Sequence, residues 1–237
     1  IAAVGKLSSD SFDGRIICND PSLNFMFQGI FALSAKTRNA RYKFFANLGH
    51  ADLNAMHIDK RGISRVDLRA SADFTKTGKG DLMGKIDIAD LRLENRLGKH
   101  DIGDISLTSY SNDNTFTVRL DSEFANGKYV TTFISDLKNI TVKKELPSLF
   151  EDASYTWEGN SYNINFRCTN SLDLLTFIMP GLYIDEGTSV NASLSDKGNF
   201  KADISSDRLA FGKNYLKGFK ATFDNLDESL SGNLECN

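Results

Sequence analysis

Apolar residues recur at every second position along most of this chain. The clearest stretch runs Leu23, Phe25, Phe27, Gly29, Phe31, Leu33, with Asn24, Gln28 and Ser34 on the opposite parity. In a helix such residues would scatter round the axis, whereas on a strand they line one face. At about 3.3 Å per residue the stretch makes a strand of roughly 35 Å, long beside the five or six residues usual in globular sheets. The alternation returns in Val66, Leu68, Ala70, Ala72, Phe74, and in Leu82, Gly84, Ile86, Ile88. It appears again in Phe116, Val118, Leu120, Ser122, Phe124 and in Tyr162, Ile164, Phe166, Cys168. Val190–Leu194, Phe200–Ile204, Phe219–Phe223 and Leu230–Cys236 continue it.

Between these runs fall Gly, Asn, Asp and Ser, the residues of tight turns. Short connections such as Asp196–Asn199 (DKGN) and Thr77–Gly80 (TGKG) make most neighbours antiparallel hairpins. Two places break the period. Ser171–Met179 puts Leu172, Leu175 and Met179 near helical spacing after a Ser/Asp start, and Pro180-Gly181 stops it. Lys143–Phe150 reads as a second helical turn. Both are expected to plug an open end of the sheet.

The chain also resembles itself. Ala51-Asp52-Leu53 leads to Ile63–Leu68, Ala89-Asp90-Leu91 to Ile102–Leu107, and Ser206–Phe211 to Leu216–Ala221. In each, a tail containing Asp and Leu closes a strand, a loop rich in Lys, Arg or Gly follows, and a new apolar alternation starts. Units of this kind stack along one axis in solenoid fashion. Cys18, Cys168 and Cys236 occupy one recurring corner. Their odd number and lack of CxxC spacing argue against a disulfide framework or a metal site, and they are expected to point inward from strands.

Composition narrows the function classes. A net charge of −3 without basic blocks argues against nucleic-acid binding. No apolar run approaches the roughly 18 residues of a membrane-spanning helix. GxSxG, GxGxxG, HExxH and Walker motifs are all absent, so no catalytic residue, cofactor or metal ligand is assigned. Ser109–Thr115 (SYSNDNT) lacks EF-hand spacing and reads as a polar hairpin loop. Asn139 and Asn191 begin glycosylation sequons, which matter only in a eukaryotic secretory context.

What remains is a hydrophobic stripe rich in Phe (17 residues). Either the sheet seals it in a closed core, or it curls into a trough whose lining stays accessible to an apolar ligand. Periodicity alone is compatible with both.

The runs Ser11–Leu33, His50–Asn95 and Leu174–Ser195 resemble the AsmA-like TamB proteins. These are translocation-and-assembly-module subunits of Gram-negative envelopes, here in their divergent Bacteroidetes-type form. The likeness covers most of the chain as loose apolar repeats, without invariant residues. It implies an all-β, elongated, mostly antiparallel curled sheet (a β-taco with an open groove) with one or two short capping helices. It further implies a non-enzymatic periplasmic segment of a longer protein anchored in the inner membrane, moving phospholipid towards the outer membrane or helping outer-membrane proteins assemble. The partners expected are phospholipid acyl chains or the assembly machinery. The groove lining expected from the alternation is Leu23, Phe25, Phe27, Phe31, Leu33, Val66, Leu68, Phe74, Ile86, Phe116, Val118, Leu120, Ile164 and Phe166. The whole of 1–237 is expected to form one continuous repeat domain, with 1–142 and 151–237 as the alternative division.

Overall fold

The computed structural model describes residues 1–32, 40–77, 82–112, 114–132, 160–225 and 230–237. They form one antiparallel sheet. Its strands are β1 (Ala2–Leu7), β2 (Ser11–Asp20), β3 (Leu23–Ala32), β4 (Arg41–Asp52) and β5 (Arg65–Lys76). Next come β6 (Leu82–Asn95), β7 (Gly98–Asn112), β8 (Thr115–Ser122), β9 (Ala125–Thr132) and β10 (Tyr162–Cys168). A helix, α1 (Leu172–Ile178), precedes β11 (Leu182–Ile184), β12 (Ser189–Leu194), β13 (Phe200–Phe211), β14 (Asn214–Asp224) and β15 (Ser231–Glu235).

Each strand pairs with its neighbour in sequence, except that β10 pairs with β12 while the short β11 extends the same side of β13. β1 and β15 lie at opposite edges, so the sheet is open rather than a barrel. β9 and β10 pair from Thr131↔Tyr162 to Ala125↔Cys168, which puts both halves of the chain in one sheet. Leu33 and the expected second helical turn, Lys143–Phe150, lie outside the described residues.

Local chemistry explains the corners. After β2 the chain turns through Pro21, with the Ser22 N–H donating to Asp20 Oδ1 at 2.8 Å. Asn95 turns β6 into β7 by accepting the Leu97 N–H at 2.8 Å. Asp196–Asn199 forms the expected hairpin, closed by Ser195 N–H to Asn199 O at 2.9 Å. The SYSNDNT segment lies at the expected polar hairpin, with Ser109–Asn112 ending β7 and Thr115 opening β8 opposite Asn112.

The self-similar unit also resolves differently. Asp52 does close β4, and a long loop follows. Asp90 and Asp207, by contrast, sit inside β6 and β13. β6 carries a register shift between Ile88 and Leu91 that realigns the strand. All three copies mark hairpins at the same end of the sheet.

α1 packs on the apolar face near one end of the strands. One apolar cluster gathers Val66 of β5, Leu91 and Leu93 of β6, Ile102 of β7 and Phe124 beyond β8 round Leu174 and Phe177 of the helix. Laid flat, β5 to β9 would span about 19 Å at roughly 4.8 Å per strand. A helix with its side chains is only about 10–12 Å across. The cluster is therefore wider than the helix it covers. Leu172 and Met179, expected on the packed face, are half exposed; the buried side is Leu174 and Phe177 instead. Nor does Ser171 cap the helix through its side chain, since its hydroxyl donates to Ile184 O at 3.4 Å.

Candidate functional site: the apolar face of the sheet

The pairing registers join the alternating residues into rows that cross the sheet. One row runs Gly5, Gly14, Gly29, Phe44, Ala72, Ile86, Leu107, from β1 to β7. It continues as Leu120, Gly127, Phe166, Val190, Ile204, Ala221, Leu234, to β15. Every member is apolar or glycine, on all the strands of the main path. A parallel row reads Tyr42, Phe74, Gly84, Ser109, Val118, Tyr129, Ile164, Ala192, Ala202, Phe223, Gly232.

All the expected lining residues that are described lie on this face, but not in one environment. Phe25, Phe27 and Phe31 pack with Phe12, Ile16, Phe44 and Ala46 into a core on β2–β4. Within it Phe27 meets Phe31 edge-on at 5.2 Å and Phe44 at 5.2 Å, contacts worth about 0.5–1.5 kcal/mol each beyond area burial. Leu23 and Val66 belong to the row Leu23, Ala51, Val66, Leu93, His100 at the α1 end. There Val66 and Leu93 join the cluster round the helix. Leu68, Phe74, Ile86, Phe116, Val118 and Leu120 are half-buried. Ile164 and Phe166 stand 41% and 36% exposed. Their row-mate Leu107, absent from the expected lining, is 38% exposed. So the face is filled by its own phenylalanines on β2–β4 and open on β7–β10.

Tyr129 lies in the neighbouring row of the same face, between Val118 and Ile164. Burial pushes its phenol above the ordinary tyrosine value; a hydrogen bond with Thr131 pulls the other way and the neighbouring Tyr162 adds a smaller upward push. The two rings stack at 6.3 Å.

Polar clasps hold α1 against this face. His100 is buried, its ring nitrogens 3.3 Å from Asp173 Oδ1 and 3.0 Å from Asn95 Oδ1. Asn95 Nδ2 donates to Thr176 O at 2.9 Å. From the loop between β4 and β5, Arg61 donates to Phe177 O and lies over the Phe177 ring at 4.4 Å. Arg61 is fixed in turn by Asp59, which accepts from its Nε at 2.6 Å and from the fully buried Ser64 Oγ at 2.7 Å.

The Arg61 hydrogen bond, chiefly, holds the Asp59 carboxyl well below the usual carboxylate range; the Arg61 N–H and Ser64 add to it. A depressed folded value means the proton-linked stabilisation is complete above the unfolded value, about 3.9, and is lost as pH falls through the folded one. Stability from this clasp should therefore hold from pH 7 to about 5 and decline below about pH 4. Urea midpoints measured across that range should show the decline, and Asp59→Asn should remove part of it. An identical acid profile in the variant would refute the clasp.

Two open concavities of about 410 and 500 Å³ lie on β8–β13. Both are lined largely by polar-face side chains, Thr132, Asn163 and Ser193 in one, Arg119, Lys128 and Asn165 in the other. Among the described residues no group of His, Cys, Asp or Glu is placed to hold a metal ion, and no helix is long and apolar enough to cross a membrane. Cys18 and Cys168 are buried, whereas Cys236 is exposed instead of pointing inward. Asn191 is exposed in the middle of β12, and Asn139 lies outside the described residues.

No family model, curated protein or solved structure matches the chain.

Proposed function

We propose that the chain is a non-enzymatic segment of a TamB/AsmA-like envelope protein, working in the periplasm of a membrane-anchored parent. In this reading the open part of its apolar face receives phospholipid acyl chains on their way to the outer membrane, or serves outer-membrane protein assembly. The observation that supports it most is the unbroken apolar row from Gly5 to Leu234, which leaves Leu107 and Phe166 substantially exposed. Apolar surface of this kind is retained where a ligand covers it. An acyl chain gains about 0.8 kcal/mol for each methylene it removes from water.

The test is a titration of the delipidated chain with a fluorescent fatty acid, together with mass spectrometry of lipid co-purifying with the untreated chain. Saturable binding is expected. Ile164→Asp with Phe166→Asp should weaken it at least ~10-fold, since a buried charge replaces apolar contact. Absence of both saturable binding and co-purifying lipid would defeat the reading.

A second reading is a module that receives partner strands. It is favoured by β1 and β15, edge strands that are exposed along their whole length. Unpaired edges of this kind accept an added strand through main-chain hydrogen bonds. In that case the fatty acid would not bind, and a peptide adding to β1 or β15 would protect its amides from exchange.

A further inference from the structure

Apart from the edge strands β1 and β15, whose side chains are exposed throughout, a group of exposed large apolar side chains lies at the α1 end of the sheet. Ile58, Leu97, Ile178, Met179, Phe211 and Tyr215 are each between 48% and 66% exposed. They come from the β4–β5 loop, the β6–β7 turn, the end of α1 and the β13–β14 hairpin. Hydrogen bonds make these segments one surface. Arg61 donates to Phe177 O, Asn95 Nδ2 to Thr176 O at 2.9 Å, and the Gly212 N–H to Gly181 O at 2.9 Å. Three hairpins of the self-similar unit thus deliver apolar tips to the tail of one short helix.

Cations accompany the tips. Lys60, Arg96 and Lys213 are exposed on the same three connections, and none has an acidic partner among the described residues. Of the acids beside this assembly, Asp59 is paired with Arg61, while the half-exposed Asp173 lies 3.3 Å from the His100 ring. Glu123 and Glu186 lie on separate turns, between β8 and β9 and between β11 and β12.

We propose that the α1 end is a docking surface for an anionic lipid bilayer. The tips enter the interfacial layer while Lys60, Arg96 and Lys213 meet the headgroup phosphates. Two features select a bilayer over a protein partner. The apolar side chains are spread over four connections, one each on the β4–β5 loop and the β6–β7 turn and two each at the end of α1 and on the β13–β14 hairpin, suited to a soft surface that closes round each. The cations alternate with them, as in interfacial anchoring where long basic side chains keep their heads at the phosphate level. Tyr215 adds an aromatic ring with a polar tip, the residue type favoured at that depth.

The surface is separate from the open face on β7–β10, so the two readings fail independently. The test is flotation of the 237-residue chain with vesicles of phosphatidylcholine alone or with added phosphatidylglycerol. Binding is expected to the anionic vesicles and to fall with salt. Ile178→Asp with Leu97→Asp, and separately Lys60→Glu with Lys213→Glu, should each reduce partitioning at least ~10-fold. All four positions are exposed, so thermal midpoints should stay near that of the parent, and fatty-acid binding should be unchanged. The proposal is overturned if the parent chain ignores anionic vesicles, or if both variant pairs float as it does. Concentration-dependent self-association lost in Ile178→Asp, without vesicle binding, would assign the surface to a second copy and likewise overturn it.

Discussion

Phe27→Ala is expected to cost about 3–5 kcal/mol, the toll for emptying a buried aromatic site, while Phe166→Ala, on the same face, costs only roughly 1–2 kcal/mol. The two side chains are chemically identical and both belong to alternating apolar rows. Phe27 is 7% exposed, between Phe31 and Phe44, and its removal leaves a hole that backbone pairing on both sides keeps from collapsing. Phe166 is 36% exposed, opposite Gly127, and its removal leaves surface that water already reaches. Urea denaturation of both variants measures the difference. A stability profile in which they lose equal amounts would mean that the face is sealed along its whole length, and the groove would be gone with it.

That contrast marks how far the sequence alone reaches. Parity along a strand is local, so Leu23, Phe25, Phe74, Val118 and Ile164 could be placed on one face from their spacing. Exposure is not local. It depends on which strand lies opposite and on what covers the face, and connections such as the long β4–β5 loop leave the register open. β4 itself breaks the alternation: Phe44 and Phe45 are adjacent, and the register shifts between Leu48 and Ala51. β9 carries only Gly127 and Tyr129 on the open part of the face, with Val130 on the other parity, too weak a pattern to stand out. Leu107 was visible within the self-similar unit, yet only the row through Leu120 and Gly127 puts it in line with Phe166, three strands away. For α1, seven residues are too few to fix a helical phase, which is why Leu172 and Met179 read as packed when Leu174 and Phe177 are. The clasps that seat it join residues 73, 81 and 116 positions apart, beyond any motif.

Gly84→Val is expected to destabilise the fold by about 2–5 kcal/mol, combining backbone strain with overpacking. Gly84 has φ +143°, a conformation that side-chain-bearing residues rarely adopt, and a Cβ there would lie 2.2 Å from Asp73 O and 2.5 Å from Phe74 Cα. Gly29 repeats the arrangement two hairpins earlier, with φ +145° and a Cβ position 2.2 Å from Lys43 O and 2.5 Å from Phe44 Cα. In both, glycine faces a phenylalanine on the adjoining strand, whose Cα and Cβ occupy the space a side chain would need. Such pairs let two backbones approach closely enough for a sheet to bend without losing its ladder. Gly127 is the control. It also faces a phenylalanine, but its backbone is ordinary and its Cβ position is 3.3 Å from its nearest neighbours, Asn165 O and the Phe166 ring. Gly127→Ala should therefore change stability by roughly 1 kcal/mol or less. If bending at Gly29 and Gly84 creates the trough, Gly84→Val should lose fatty-acid binding even where residual fold survives at low temperature, and Gly127→Ala should retain it. Equal behaviour of the two variants would show that the curl is set by the packing round α1 and not by the glycines.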